Sequence, residues 1–87
     1  GGRGHKNLTP IKEEDVEEIG VIVVDIWVDR NGIVQRTQIV KGTTISNPRM
    51  RTIAENAAKN SVFNPDKNAA ELQKGTITYT FTFKKEQ

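Results

Sequence analysis

The stretch GTITYTFTFK, at positions 75–84, alternates apolar residues with threonines over its eight central positions. A period of two is typical of a β-strand that buries one face and exposes the other. We expect the apolar residues of this strand to face a helix, and we expect the strand to lie at a sheet edge with backbone groups free to pair with another chain. The candidate docking edge comprises Thr76, Ile77, Thr78, Tyr79, Thr80, Phe81, Thr82 and Phe83.

Length and composition indicate one small globular domain. The chain has 87 residues, of which 34% are hydrophobic and 28% are charged, a balance too apolar for a disordered chain. No apolar run approaches the roughly 18 residues of a membrane span. The chain contains no cysteine, which excludes disulfides and thiolate zinc sites but leaves the compartment open. A net charge of +2 with scattered basic residues gives little support for nucleic-acid binding.

The N-terminal part, residues 1–19, shows no clear period. Gly1 to Leu8 are polar and glycine-rich, so we expect a flexible tail that begins with a linker or a cloning remnant. Between Thr9 and Ile19 the apolar residues are spaced too irregularly for an amphipathic helix, and we expect a short turn or a frayed helix. The predicted division is therefore a tail and short N-terminal segment over residues 1–19 and a domain over residues 20–87.

Two strands joined by a hairpin are predicted next. Gly20–Val28 is a nearly continuous apolar run, which suits a central strand. The tetrapeptide DRNG at residues 29–32 follows it, and Asn-Gly between two strand patterns is a strong hairpin signal. A more polar strand is expected from Ile33 to about Lys41. Either a two-residue loop or a type I turn with a glycine bulge fits this sequence, and the choice changes the register of the two strands.

A helix is predicted after the loop that follows the second strand. Asn47 suits the N-cap, and Pro48 suits the first helical position, where its missing N–H costs nothing. Val62 and Phe63 are expected to add two core residues after the helix ends near Asn60. An apolar stripe with helical spacing is formed by Met50, Ile53, Ala54, Ala57 and Ala58.

The order strand, strand, helix, strand predicts an α+β fold. A right-handed crossover through the helix places the third strand parallel to the second. The apolar first strand then lies between them and runs antiparallel to both. We therefore expect a three-stranded antiparallel sheet in the order 2-1-3, with one main helix, between the second and third strands, packed on one face.

Several single residues have two interpretations each. Trp27 shares a mixed strand face with Asp25 and is interpreted as a half-buried sheet residue, with contact to a partner as the alternative. Tyr79 is expected in the core with its hydroxyl at the rim. His5 stands alone in the predicted tail, so it is interpreted as a tag-like residue and not as a metal ligand.

No catalytic, cofactor or metal site is expected, and we expect that the protein is not an enzyme. Asp25 is interpreted as a strand-face charge, and Asp29 and Asp66 as turn residues. No serine or threonine has a nearby histidine base, and no glycine-rich phosphate loop opens a helix. The single histidine also excludes a two-histidine metal site.

Four motifs follow one another along the chain: VDRNGIV at 28–34, KGTTISNP at 41–48, the stretch 54–65 that ends in FNP, and QKGTITYTF at 73–81. Together they resemble the C-terminal domain of the TonB energy-transducer family, in the version common in Bacteroidetes-type bacteria. The resemblance covers roughly Gly20 to Lys84. The N-terminal third departs from the family, because the proline-anchored helix that precedes the first strand in better-studied members is not recognisable between Thr9 and Ile19.

The resemblance implies a periplasmic domain of a protein anchored in the inner membrane. Its partner would be the TonB box peptide of outer-membrane transporters, which adds as a strand to the edge of the last strand. The domain would transmit force from an inner-membrane proton-driven motor, reached through an N-terminal part that this chain lacks. An uncovered strand edge also predicts a homodimer.

Two other classes of function stay open. A nucleic-acid module is disfavoured because RNA-binding sheets need exposed aromatic residues beside lysine and arginine, whereas the aromatic residues of the last strand share one face with the core. A small α+β structural, inhibitor or homodimerisation domain without transporter binding is compatible with the composition.

Overall fold

The computed structural model describes residues 4–12 and 16–83, which form an α+β fold. Its elements are β1 (His5–Asn7), β2 (Gly20–Val28), β3 (Val34–Ile39), α1 (Pro48–Asn60), β4 (Val62–Phe63) and β5 (Gln73–Phe81). One sheet has the order β3-β2-β5, and both neighbours of β2 run antiparallel to it. The predicted fold class, the strand order and the single main helix before the last sheet strand are confirmed.

The core is built on β2, because every second residue of this strand is apolar and faces the helix side. α1 packs across β3 and β2. The helix buries Met50, Ala54, Ala57 and Ala58, whereas Ile53 of the predicted stripe is only partly buried. The buried residues of β2 are Ile22, Val24, Ile26 and Val28.

Side chains accept hydrogen bonds from backbone N–H groups at the start of α1 and just before it. The Oδ1 atom of Asn47 accepts a hydrogen bond from the Met50 N–H at 2.9 Å, and Pro48 follows the cap as predicted. The Glu18 carboxylate accepts from the N–H groups of Asn47 at 2.9 Å and Ser46 at 3.3 Å. A negative charge is favourable at this place because a helix N-terminus carries partial positive charge. The segment before β2 is thereby attached to the start of the helix.

The hairpin between β2 and β3 turns through residues 29–32. The Gly32 N–H donates to the Asp29 carbonyl at 3.0 Å, the Asp29 N–H donates to the Ile33 carbonyl at 2.9 Å, and Gly32 has a φ of +87°. This pattern is a type I turn followed by a glycine bulge. Of the two turns that the sequence allows, the structure has the bulged one.

A second, two-stranded sheet was not predicted from the sequence. β1 pairs antiparallel with β4, and the Gly4 carbonyl accepts from the Asn64 N–H at 3.0 Å. Part of the segment expected as a flexible tail is therefore a strand. No local pattern marks β1, because a three-residue strand depends on the tertiary partner that it pairs with.

The segment formed by residues 9–12 and 16–18, which we call the strap, crosses the same side of the sheet as α1. The Thr9 N–H donates to the Ser61 hydroxyl oxygen at 3.3 Å. Ile11 and Val16 pack against the core, as do Ile77 and Tyr79 of β5. The expectation that the helix covers the apolar face of the last strand is therefore wrong, because α1 packs across β3 and β2 and the strap contributes apolar cover where β5 lies.

Phe83 was expected to face the helix, and that expectation is wrong. Its side chain is 61% exposed, whereas that of Phe81 is 5% exposed. The reason lies in the register, because Phe81 is paired with Gly20, the first residue of β2. Beyond Phe81, β2 offers no further residue to pair with, so the strand ends and the alternation no longer determines burial.

Candidate functional site

The candidate docking residues lie on or directly after β5, which is an edge strand of the larger sheet in the part of the chain that the structure describes. Residues 76–81 belong to the strand, and Thr82 and Phe83 follow its end. The threonines of the strand are exposed and its apolar residues are half-buried or buried. The predicted alternation of inner and outer side chains is therefore confirmed as far as Phe81.

The hydrogen bonds on the far side of β2 determine which backbone groups of β5 point outward. The Val21 carbonyl accepts from the Thr44 N–H at 2.9 Å, and the Val23 carbonyl accepts from the Val40 N–H at 3.0 Å. These two residues of β2 therefore direct their backbone groups away from β5. Because the directions alternate along an antiparallel strand, Ile22 and the other even-numbered residues of β2 bond β5.

Thr76, Thr78 and Thr80 consequently direct their N–H and C=O groups to the outer edge. Their neighbours Ile77 and Tyr79 are the register partners of even-numbered β2 residues and bond inward. Between the described residues, no backbone hydrogen bond joins these threonines to a further segment. The edge thus presents pairs of donors and acceptors repeated about every 6.8 Å, the spacing that an added strand requires.

A cavity opens beside the C-terminal half of β5, and we call it the edge cavity. Its volume is about 280 Å³, and it is lined by Ile11 and Val16 of the strap and by residues 79–82. Sequence patterns indicated β5 but missed the two strap residues. Isolated apolar residues in an irregular segment carry no period, so no local signal could have placed them beside the edge.

The exposed sheet face beside this edge carries one charged cluster. Asp25 accepts a hydrogen bond from the Thr76 hydroxyl at 2.9 Å and pairs with the Lys74 ammonium at 3.2 Å. The Thr76 hydrogen bond lowers the pKa of Asp25; partial desolvation opposes the effect, and Lys74 lowers the pKa further. Asp25 therefore stays ionised, and it links the central strand to the edge strand.

Trp27 lies on the same face as Asp25 and is partly buried. The Arg36 guanidinium carbon is 4.6 Å and the Lys74 ammonium nitrogen 5.6 Å from the centroid of the indole ring. Both distances are typical of cation–π contacts, worth about 0.5–1 kcal/mol each at exposed sites. The two neighbouring strands therefore supply cations that contact this ring, which supports its interpretation as a sheet residue.

Tyr79 is half-buried, and its hydroxyl oxygen lies away from solvent, so the expected position of the hydroxyl at the rim is wrong. Burial raises the pKa of Tyr79 above 10.0, and the nearby Ser61 hydroxyl partly opposes this rise. The phenol is therefore neutral throughout the physiological pH range. The wall that Tyr79 contributes to the edge cavity carries no charge.

The other two aspartates considered as catalytic carboxylates, Asp29 and Asp66, have structural roles. Asp29 accepts from the Asn31 N–H at 2.9 Å and Asp66 from the Asn68 N–H at 3.0 Å, which confirms both as turn residues. Among residues 4–12 and 16–83, no three histidine, aspartate or glutamate side chains lie close enough to hold a metal ion. No helix in these same ranges has the length and apolar character needed to cross a membrane.

Comparisons of the chain with protein-family models, with curated proteins and with solved structures returned no match.

Proposed function

We propose that this domain docks an extended peptide by strand addition along the outer edge of β5. The observation that carries the proposal is the outward direction of the backbone groups of Thr76, Thr78 and Thr80 at an edge that no other described strand covers. Main-chain hydrogen bonds give affinity in this mode of recognition, and pockets for alternate side chains give specificity.

The partner in this proposal is the TonB box peptide of an outer-membrane transporter. The support comes from the four ordered motifs between Gly20 and Lys84 and from the agreement between the resemblance and the geometry on the same strand. In this function the domain works in the periplasm, in a protein anchored in the inner membrane. It passes force from a proton-driven motor to the transporter and so drives nutrient uptake.

The expected affinity is modest. Each backbone hydrogen bond contributes about 0.5–1.5 kcal/mol net, whereas ordering each residue of a flexible peptide costs about 1–2 kcal/mol. Side-chain contacts must therefore supply most of the net free energy of binding. We expect dissociation constants in the micromolar range or weaker, which correspond to a binding free energy of about −8 kcal/mol or less in magnitude. Weak binding is compatible with pulling, because a strand loaded along its length must break several bonds together.

The direct test removes one outward N–H group. Thr78→Pro deletes a donor that points to solvent, where proline is tolerated on an edge strand. Thr78→Ala is the matched control, because it removes the same side chain and keeps the N–H. Peptides from the periplasmic ends of transporters are titrated while amide NMR shifts are recorded. We expect residues 74–82 to shift in the alanine variant and to stay unchanged in the proline variant.

Tyr79→Pro completes the design, because the Tyr79 N–H points to β2 and its loss damages the sheet itself. Circular dichroism should therefore show a folded Thr78→Pro variant and a destabilised Tyr79→Pro variant. Peptide shifts that map to Trp27 and the exposed sheet face, with a folded Thr78→Pro variant that still binds, would exclude docking at the edge.

A further inference from the structure

The edge cavity lies where the side chains of an added strand would arrive. Side chains of a strand alternate between the two faces of the sheet that it joins. A peptide residue bonded to Thr80 directs its side chain to the exposed face, as Thr80 does. The peptide residues on either side of it direct theirs to the inner face, level with Tyr79 and Phe81.

The walls of the cavity determine what such a side chain meets. Ile11 and Val16 supply aliphatic groups from the strap, and both pack against the core. Tyr79 and Phe81 supply aromatic surface from β5, and the Tyr79 phenol is neutral. Thr80 and Thr82 supply the polar remainder of the wall. None of the described residues that line the cavity is charged. A carboxylate or an ammonium group would lose its hydration there, and the described wall residues offer it no partner of opposite charge.

The size of the cavity admits a large side chain. A dry cavity of about 150 Å³ lined by apolar residues holds a group the size of benzene. The edge cavity measures about 280 Å³. A branched aliphatic or aromatic side chain therefore fits without displacement of the strap.

From these observations we propose that the edge cavity is the specificity pocket of the docking edge and selects a peptide with a large apolar residue at the inward position beside Thr80. Ile11 and Val16 are then specificity-determining residues, although they lie outside the strand that binds the backbone. The inference rests on the proposed function, since the pocket has an occupant only when a strand is added to β5.

A leucine scan of a synthetic peptide tests the pocket. The probe is a nine-residue peptide of threonine and serine in which one leucine replaces each position in turn, with alanine at the same position as the reference. Binding is followed through the amide shifts of residues 74–82. We expect leucine to bind about 50-fold more tightly than alanine at inward positions near Thr80, because three buried carbon atoms are added. Outward positions should show little preference.

Substitutions in the strap test whether the cavity causes the preference for leucine over alanine. Val16→Ala and Ile11→Ala remove wall contacts and should reduce the preference for leucine over alanine, while the alanine peptide keeps its affinity. Leu8→Ala is the matched control, because Leu8 is an exposed apolar residue that does not line the cavity. It should leave the preference unchanged.

The outcomes separate the two proposals. Peptides that shift residues 74–82 with equal affinity for leucine and alanine would overturn the pocket and leave the docking edge intact. The same holds for a leucine preference that the two strap variants do not alter. If no peptide of the set, and none from a transporter, shifts these residues, both proposals fail.

Discussion

Gly32 occupies a position that accepts no side chain without movement of its surroundings. Its φ is +87°, and a Cβ atom built there would lie 1.9 Å from the Phe63 carbonyl oxygen. A hydrogen bond fixes the two backbones at this distance, because the Phe63 N–H donates to the Gly32 carbonyl at 2.8 Å. The turn of the hairpin is therefore packed directly against the backbone of β4.

Gly32→Ala should destabilise the domain far more than Gly42→Ala. Both glycines have positive φ, which costs an alanine about 1–2 kcal/mol. At Gly42, however, the new Cβ meets only a Val23 methyl group at 3.3 Å. Urea denaturation followed by circular dichroism measures both variants, and the free energy of unfolding should fall at least twice as much for Gly32→Ala. Equal losses would show that the contact with Phe63 is unimportant.

Asp25 should make the stability of the domain sensitive to acid. Its pKa is lowered in the folded state, chiefly by the Thr76 hydroxyl, so the unfolded chain binds a proton more readily. The stabilisation is present above the ordinary pKa of 3.8 and is lost as the pH falls through the folded-state value. Melting temperatures of the wild type and Asp25→Asn, measured from pH 6 to pH 2, should converge at the acid end. Parallel curves would contradict this role.

At the scale of elements, the side chains of β5 alternate between the core and solvent, and the register with β2 determines where this alternation ends. Phe81 and Phe83 have the same side chain and the same place in the alternation. They differ because only Phe81 has a partner on β2. The sequence repeats the pattern beyond the point where the sheet stops.

Phe81→Ala should therefore cost about 3–5 kcal/mol, as for other buried phenylalanines, whereas Phe83→Ala should change the free energy of unfolding by less than about 0.5 kcal/mol. Chemical denaturation measures both values. Similar losses of unfolding free energy for the two variants would mean that Phe83 is buried in solution and that β5 extends beyond Phe81.

Much of the element structure could be predicted from local patterns. The apolar run of β2, the Asn-Gly turn, the cap at Asn47 and the alternation of β5 each have a local physical cause, and each element is present in the structure. β1 could not be predicted in the same way, because its pairing with β4 joins residues far apart in the chain. Two of the residues that line the edge cavity, Ile11 and Val16, could not be predicted either, because only the folded chain brings the strap to β5.

For the whole molecule, an uncovered edge has a second use. An edge strand that has no proline and no charged side chain facing the core can pair with the same strand of a second copy of the protein. Two β5 edges can pair antiparallel through the same outward groups that we assign to peptide binding. Competition between the two uses follows, because one edge holds one strand at a time.

Sedimentation velocity should therefore show a dimer whose fraction grows with concentration. Thr78→Pro should shift the domain to monomer, and a bound transporter peptide should do the same. Thr78→Ala should leave the dimer in place. A strict monomer over the whole concentration range, or a dimer that Thr78→Pro does not affect, would exclude pairing through β5.

The sheet order also determines what a ribosome exposes while it makes this chain. β2 finds its first partner as soon as β3 follows it, but its second partner starts at Gln73, 34 positions after β3 ends at Ile39. At about 5–20 residues per second, the most apolar strand of the nascent chain stays half-paired for about 2–7 s. Throughout that interval its free edge is accessible to chaperones that bind extended segments, and the translation speed between β3 and β5 determines the length of the interval.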